Sequence, residues 1–311
     1  MNTNITIVIR SSNERTHEAC LQRTKQQVPE QNIFILNETP FLKAVKRTFE
    51  IGLEHKNKYT LAIDADILLT ENAIDQMATQ FDKLRDPTFV LQGYVLDKLY
   101  GEYRQGGPHL YNTELLEKAL KTLKGYNTRT LRPESSTYNE LATSGYSTNI
   151  TPEIYGIHDY EQYYYDIYRK AFFHAVKHRK NGVLSKMLSH WANKITRDKD
   201  YQIALYGASH GLLYTGQTKP DINFFNKVST NAFSSLNIIE KLPLTDGQLI
   251  DFDTIISEHD LAHPHARKSL KNIVINKYGK KKKSKLTLAD KAANKFATLL
   301  INVGKKISRK K

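Results

Sequence analysis

Four apolar runs alternate with amphipathic stretches through the first hundred residues, and this alternation limits the possible folds more than any other feature of the chain. Ile5 to Arg10 is β-branched and apolar, 32–36 is a second run, Tyr59 to Leu69 a third, and Phe89 to Leu96 a fourth. Ser11-Ser12-Asn13 has turn and N-cap chemistry and leads into a helix-like stretch that ends near Val28. Phe41, Leu42, Val45, Phe49 and Leu53 form one helical stripe, and Glu71 to Leu84 reads as a further helix. Strands alternating with helices of this length predict βαβ units. The expected class is therefore α/β, with a mainly parallel sheet flanked by helices.

Residues 101–157 read differently. Gly101, Gly106-Gly107-Pro108, Gly125, Pro133, Gly145, Pro152 and Gly156 stand among many Ser, Thr and Asn, which predicts a loop-rich region with one helix near Thr113 to Leu123. Such loops often carry substrate contacts. From Asp159 to about Tyr214 the pattern is helical and rich in tyrosine, and 215–265 is mixed. The expected organisation is 1–157 for donor and acceptor binding, 158–266 as a helical C-terminal part of the body, and 267–311 as a tail.

The sharpest local feature is Leu61-Ala62-Ile63-Asp64-Ala65-Asp66, an apolar strand ending in two aspartates one residue apart. Along a strand, i and i+2 share a face, so the two carboxylates are expected to converge. Ligands of open α/β sheets bind at the carboxyl ends of strands, and paired carboxylates there suit a hard divalent cation. The competing reading is one aspartate capping the next helix and the other solvated.

Residues 5–100 resemble the nucleotide-sugar-binding half of GT-A type glycosyltransferases of the family 2 kind. The resemblance is carried by the first strand entering Ser12-Asn13-Glu14-Arg15, a short second strand, a helix containing Ala44, the Asp64-Ala65-Asp66 strand, and Ala73-Ile74 in the next helix. Ser11 stands where the family has Pro, two residues before the Asn-Glu pair. The resemblance implies a GT-A-like fold and a nucleotide-diphosphate sugar donor. Ser12, Asn13 and Glu14 would lie near its base and ribose, Asp64 near the ribose or the metal, and Asp66 on the metal itself, Mn2+ or Mg2+.

Such enzymes often take a later histidine as a further metal ligand. His158, in Gly156-Ile157-His158-Asp159-Tyr160-Glu161-Gln162, reads as the opening of a helix after a loop and suits that role; a helix cap or an exposed ring is the alternative. Asp159 and Glu161 are candidates for the base that an inverting transfer needs. Gly106 to Tyr111 resembles the family's acceptor-side segment, or is a simple turn, and Arg132-Pro133-Glu134 lies in the same region.

Other motifs rank lower. Asp251-Phe252-Asp253 lacks the upstream βαβ frame. Gly207-Ala208-Ser209-His210-Gly211 fits a hydrolase elbow, but Gly216 and Pro220 interrupt the helix that should follow. His259, His263 and His265 are interrupted by Pro264, and Tyr163-Tyr164-Tyr165 with Tyr168 reads as helix packing.

Charge is concentrated at one end. Of a net +14, residues 267–311 carry 16 basic groups and one acid, while the rest carries 30 basic and 31 acidic groups. Leu286, Ala289, Ala293, Phe296, Leu300, Val303 and Ile307 form a helical stripe flanked by lysines, a basic amphipathic pattern suited to an anionic membrane surface. One cysteine, Cys20, excludes an internal disulfide framework, and no apolar run approaches a membrane span. With no secretory signal at the N-terminus, the expectation is a cytoplasmic protein, peripheral on the inner face of the membrane. It would move a sugar to a glycan or lipid-linked acceptor in surface polysaccharide synthesis. The alternatives are a metal-dependent nucleotidyltransferase, or nucleic-acid binding led by the tail; nucleic acid is the less favoured partner.

Overall fold

The computed structural model describes residues 3–84, 87–126, 132–179, 182–216, 222–244 and 251–271. The predicted βαβ frame is present: β1 (Ile5–Arg10), α1 (His17–Lys25), β2 (Ile33–Leu36), α2 (Phe41–His55), β3 (Tyr59–Asp64), β4 (Ile67–Leu69), α3 (Ala73–Asp82) and β5 (Thr88–Asp97) follow in order. Next come β6 (Glu102–Asn112), α4 (Leu116–Leu123), α5 (Pro133–Thr143) and β7 (Ser147–His158). Among the described residues, seven strands form one sheet in the order β2-β1-β3-β6-β5-β7-β4. β1 pairs in parallel with both β2 and β3, and β5 with β7; β6 runs antiparallel between β3 and β5, and β4 antiparallel to β7. The class is α/β, and the sheet is mixed.

Every residue of β1 and of β5 is buried, as expected for strands covered on both faces. Ile5, Ile7, Ile9, Leu61 and Ile63 share one core with α3 residues Ile74 and Met77. Val8 packs with Ala44 and Ile51 of α2, while Ala62 joins Phe49, Tyr111 and Leu116. α10 (Phe252–Ala262) and α11 (Ala266–Lys271) belong to this first unit, and Phe252, Ile256 and Leu270 complete its larger core.

The expected loop-rich stretch at 101–157 holds two long strands instead. Gly101, Gly125 and Gly145 lie in turns and Pro133 opens a helix, but Gly106, Gly107 and Pro152 sit at irregularities of the ladder. Gly106 and Gly107 have φ of 143° and 86°, beside the register shift between Leu91 and Gly93. Pro152 lies where the β5–β7 register jumps, between the Gln92–Ile150 and Tyr94–Ile154 pairs, so no regular ladder bond is demanded of it.

The second unit comprises residues 98–101 and 162–243 among those described. It contains α6 (Tyr164–His178), α7 (Gly182–Ala192) and α8 (Lys199–Leu213), within the stretch read as helical, and α9 (Ile222–Ser235), in the stretch read as mixed. The Gly207-Ala208-Ser209-His210-Gly211 segment lies inside α8, not at a strand-to-helix elbow. A Cβ on Gly207 would come within 2.3 Å of Tyr168 O, and one on Gly211 within 2.4 Å of Phe172 O. Two glycines four residues apart therefore let α8 approach α6 closely, and Ser209 is an exposed helical residue. Tyr168 is buried among Phe172, Trp191 and Phe225, as packing predicts. Glu240 accepts hydrogen bonds from the N–H groups of Tyr164 (2.7 Å) and Tyr165 (2.9 Å), placing a carboxylate on the positive end of α6.

No helix among the described residues is long and apolar enough to cross a membrane. The amphipathic stripe at 286–307 lies outside the described residues.

Candidate metal centre

The D-x-D segment is the interruption between β3 and β4. Ala65, wholly buried, is pinned at both ends of its peptide environment: its N–H donates to Arg10 O (2.9 Å) and its carbonyl accepts from Thr16 Oγ1 (2.7 Å). The flanking aspartates meet different partners. Asp64 is half-exposed and accepts from Arg10 Nε at 2.7 Å. Asp66 is nearly buried, and its Oδ2 lies 3.5 Å from His158 Nε2.

Strand pairing explains how residues so far apart in sequence meet. Ile67 of β4 faces His158 of β7, and Asp97 of β5 faces the same histidine from the other neighbouring strand. Gly156 permits the tight β4–β7 approach, since a Cβ there would lie 2.4 Å from Leu68 O. His158 is thus the last residue of a strand and not the opening of a helix, which starts only at Tyr164. Pairing on both sides holds it extended, and Asp159, with φ of 63°, turns the chain away. The Asp159 N–H donates to Asp66 O at 3.2 Å, locking the turn to the D-x-D segment.

Asp66, His158 and Asp159 each offer one ligand atom, all within 4.8 Å of one another. Two carboxylates and an imidazole are a donor set for Mn2+ or Mg2+, and the spacing suits one small cation with bonds of about 2 Å. Burial pushes the His158 imidazole towards its neutral form, but Asp159, Asp66 and Asp97 outweigh it and raise its affinity for a proton well above the ordinary value. The site therefore attracts positive charge.

The other expected residues have distinct places. Glu14 folds back over the turn after β1, accepting from Ser12 N–H (2.7 Å) and Ser11 Oγ (3.0 Å) on one oxygen. Burial raises the Glu14 carboxyl, and the nearby Asp66 adds to this against the lowering by those hydrogen bonds. Ser12 and Asn13 are exposed, Asn13 with φ of 65°. Glu161 is outside the trio; its Oε2 accepts from Arg15 at 2.8 Å and its carbonyl at 3.0 Å. Asp64, too, is outside the trio.

A buried polar cluster stands behind Asp64. Arg10 Nη1 donates to Glu134 Oε1 at 2.7 Å, Tyr111 OH donates to the same oxygen at 2.8 Å, and Tyr138 OH lies 2.8 Å from Tyr111 OH and 3.0 Å from His109 Nδ1. His109, Tyr111 and Glu134 of the presumed acceptor segments are thus in contact through one network. Asp251 caps α10, its carboxylate accepting from Thr254 N–H at 2.9 Å. Arg10 and Asp97 escaped sequence reasoning. Asp97 carried the same signal as Asp64, an acid at the carboxyl end of an apolar strand; Arg10 had no local signal.

No family model and no curated protein matches the chain. Solved structures similar to it include a mannosyltransferase from Pyrobaculum calidifontis in complex with GDP-Man and Mn2+, at 15% identity, 88% coverage of both chains and a TM-score of 0.36. A glycosyltransferase involved in glycosylation of the major capsid of PBCV-1 is similar at 13% identity over 47% of this chain and 81% of that one, TM-score 0.34. A cytidylyltransferase from Leptospira borgpetersenii is similar at 12% identity over 65% and 98%, TM-score 0.38. At these TM-scores the likeness carries no argument about activity, and the functional reading rests on the side chains.

Proposed function

We propose that this protein is a metal-dependent glycosyltransferase, moving a sugar from a nucleotide-diphosphate donor to a glycan or lipid-linked acceptor. The observation that carries the reading is the convergence of Asp66, His158 and Asp159, from a strand break and a strand end, into one cation-sized group. A divalent cation bound there supplies neutralisation of the charge that builds on a departing diphosphate. Asp66, His158 and Asp159 would hold it. Asp64, half-exposed and oriented by Arg10, is an acceptor suited to the hydroxyls of a ribose. The exposed Ser12 and Asn13 offer hydrogen-bonding groups at the adjoining end of β1. With Asp159 committed to the cation, Glu161 is the remaining candidate for taking the acceptor's proton, and Arg15 fixes its position.

Calorimetry with Mn2+ and a panel of sugar nucleotides tests the site. Asp66→Ala is expected to abolish metal-dependent donor binding while the protein remains folded; unchanged affinity overturns the assignment. Turnover is expected to release a nucleoside diphosphate. Release of pyrophosphate from a nucleoside triphosphate would establish nucleotidyl transfer instead.

A further inference from the structure

Asp97 lies outside the trio, yet it is wholly buried at the last position of β5, in register with His158. Its Oδ2 is 2.8 Å from His158 Nδ1, and Arg104 Nη1 reaches the same oxygen at 2.5 Å. An ionised carboxylate has no hydrogen to give, so the hydrogen of the 2.8 Å contact sits on Nδ1. Where a cation would take the place of the second ring proton, the nitrogen that would offer its lone pair is Nε2, which faces Asp66 Oδ2. Asp97 thereby selects one tautomer and one ring orientation. Arg104, on the adjacent strand and in contact with the same oxygen, keeps that carboxylate turned towards the ring.

We propose that Asp97 is a positioning residue: through Nδ1 it sets the His158 ring so that Nε2 is offered to a divalent cation beside Asp66, with Arg104 holding Asp97 in turn. The inference rests on the metal reading above and adds a part that no ligand list contains. Carboxylates hydrogen-bonded to the distal nitrogen of a metal-binding histidine fix its orientation, and losing one typically weakens metal affinity about 10–100-fold.

The test uses the full-length protein and Mn2+ alone. Calorimetry compares wild type, Asp97→Asn, Asp97→Ala, His158→Ala and the Asp97→Ala/His158→Ala double variant. Asp97→Ala is expected to weaken Mn2+ binding by about 10–100-fold. Asp97→Asn should lose less, because its amide oxygen still accepts from Nδ1. Adding Asp97→Ala to His158→Ala should cause no further loss; a loss that persists without the histidine means that Asp97 acts on the fold at large, and overturns the proposal. If Asp97→Ala does not fold, Asp97→Asn and its double variant carry the same comparison.

A second arm needs no metal. In 15N-histidine spectra taken in alkaline buffer, where the ring is neutral, His158 should carry its hydrogen on Nδ1 in wild type and shift towards the Nε2–H form in Asp97→Ala, with Asp97→Asn nearer to wild type. An unchanged tautomer in Asp97→Ala overturns the proposal whatever Mn2+ does. A wild type that binds no Mn2+ overturns the metal reading and the cation's part in this one, and the ring spectra then decide whether Asp97 orients His158.

Discussion

Arg10 holds two carboxylates at once, Asp64 and Glu134, from a position only 6% exposed. Burial alone would raise the Glu134 carboxyl, but Arg10 and His109 outweigh it and hold it far below its ordinary value of 4.5. A carboxyl depressed in the folded state contributes stability that is fully present above the unfolded value and is lost as pH falls below it. The urea midpoint should therefore decline as pH drops from about 4.5, and Glu134→Gln should flatten that acid limb. At neutral pH the same variant should cost about 3 kcal/mol, because a buried partner of Arg10 is removed; an acid limb identical to wild type would contradict the ion pair. A second comparison separates the two acidic motifs. His158→Ala should reduce Mn2+ affinity sharply, whereas Asp251→Ala should cost only a helix cap, about 1 kcal/mol, with metal affinity unchanged. Asp66, His158 and Asp159 were each legible because acids and a histidine near predicted element ends have a positional signal, but the reading made Asp159 a base and put Asp64 beside the metal, and only strand pairing shows which of them meet. The Arg10–Glu134 contact spans 124 positions and leaves none.

At the scale of elements, the centre depends on β4 lying tightly against β7, and Gly156 is what allows it. A Cβ placed 2.4 Å from Leu68 O must push the strands apart, and Leu68 lies two residues from Asp66. Gly156→Ala should cost about 1–3 kcal/mol and weaken Mn2+ binding. Gly125→Ala, whose Cβ would meet only Thr122 O at 3.6 Å, should fall within about 0.5 kcal/mol of wild type. Thermal melts and calorimetry of both variants check this, and equal metal affinity in all three proteins would detach the strand contact from the site. The same glycine shows where sequence reading stopped. β1, β3 and β5 were legible from apolar runs, the third of which the two aspartates divide into β3 and β4. β6 and β7 were not, because Gly106, Gly107 and Gly156 carry the chemistry of turns while serving bulges and close strand approach. In α8, likewise, Gly207 and Gly211 imitate a nucleophile elbow but answer a packing demand from α6. A glycine reports that the backbone needs room or an unusual φ, and only the partner across the gap tells which.

For the whole molecule the dominant feature is the uneven charge. Deleting residues 280–311 removes twelve basic residues and Asp290, taking the net charge from +14 to +3. We propose that this segment holds the protein on an anionic membrane surface, where a lipid-linked acceptor would lie. Stable surface binding needs two signals, and the segment carries both: an apolar stripe from Leu286 to Ile307, and lysines at roughly 1 kcal/mol each near an anionic leaflet. Co-sedimentation with anionic vesicles should fall by on the order of tenfold or more on truncation, and neutral vesicles should bind neither form well. Raising salt from 0.1 M to 1 M shortens the Debye length from about 10 Å to about 3 Å, so full-length binding should weaken in parallel. Activity on a soluble acceptor should survive truncation, since Asp66, His158, Asp159 and Asp97 all lie in the first 161 residues. Equal vesicle binding by the truncated protein would remove the tail as the anchor. Tighter binding of the tail to duplex DNA than to vesicles at matched salt would assign the same lysines to nucleic acid, because both surfaces present phosphate and only the membrane also accepts the apolar stripe.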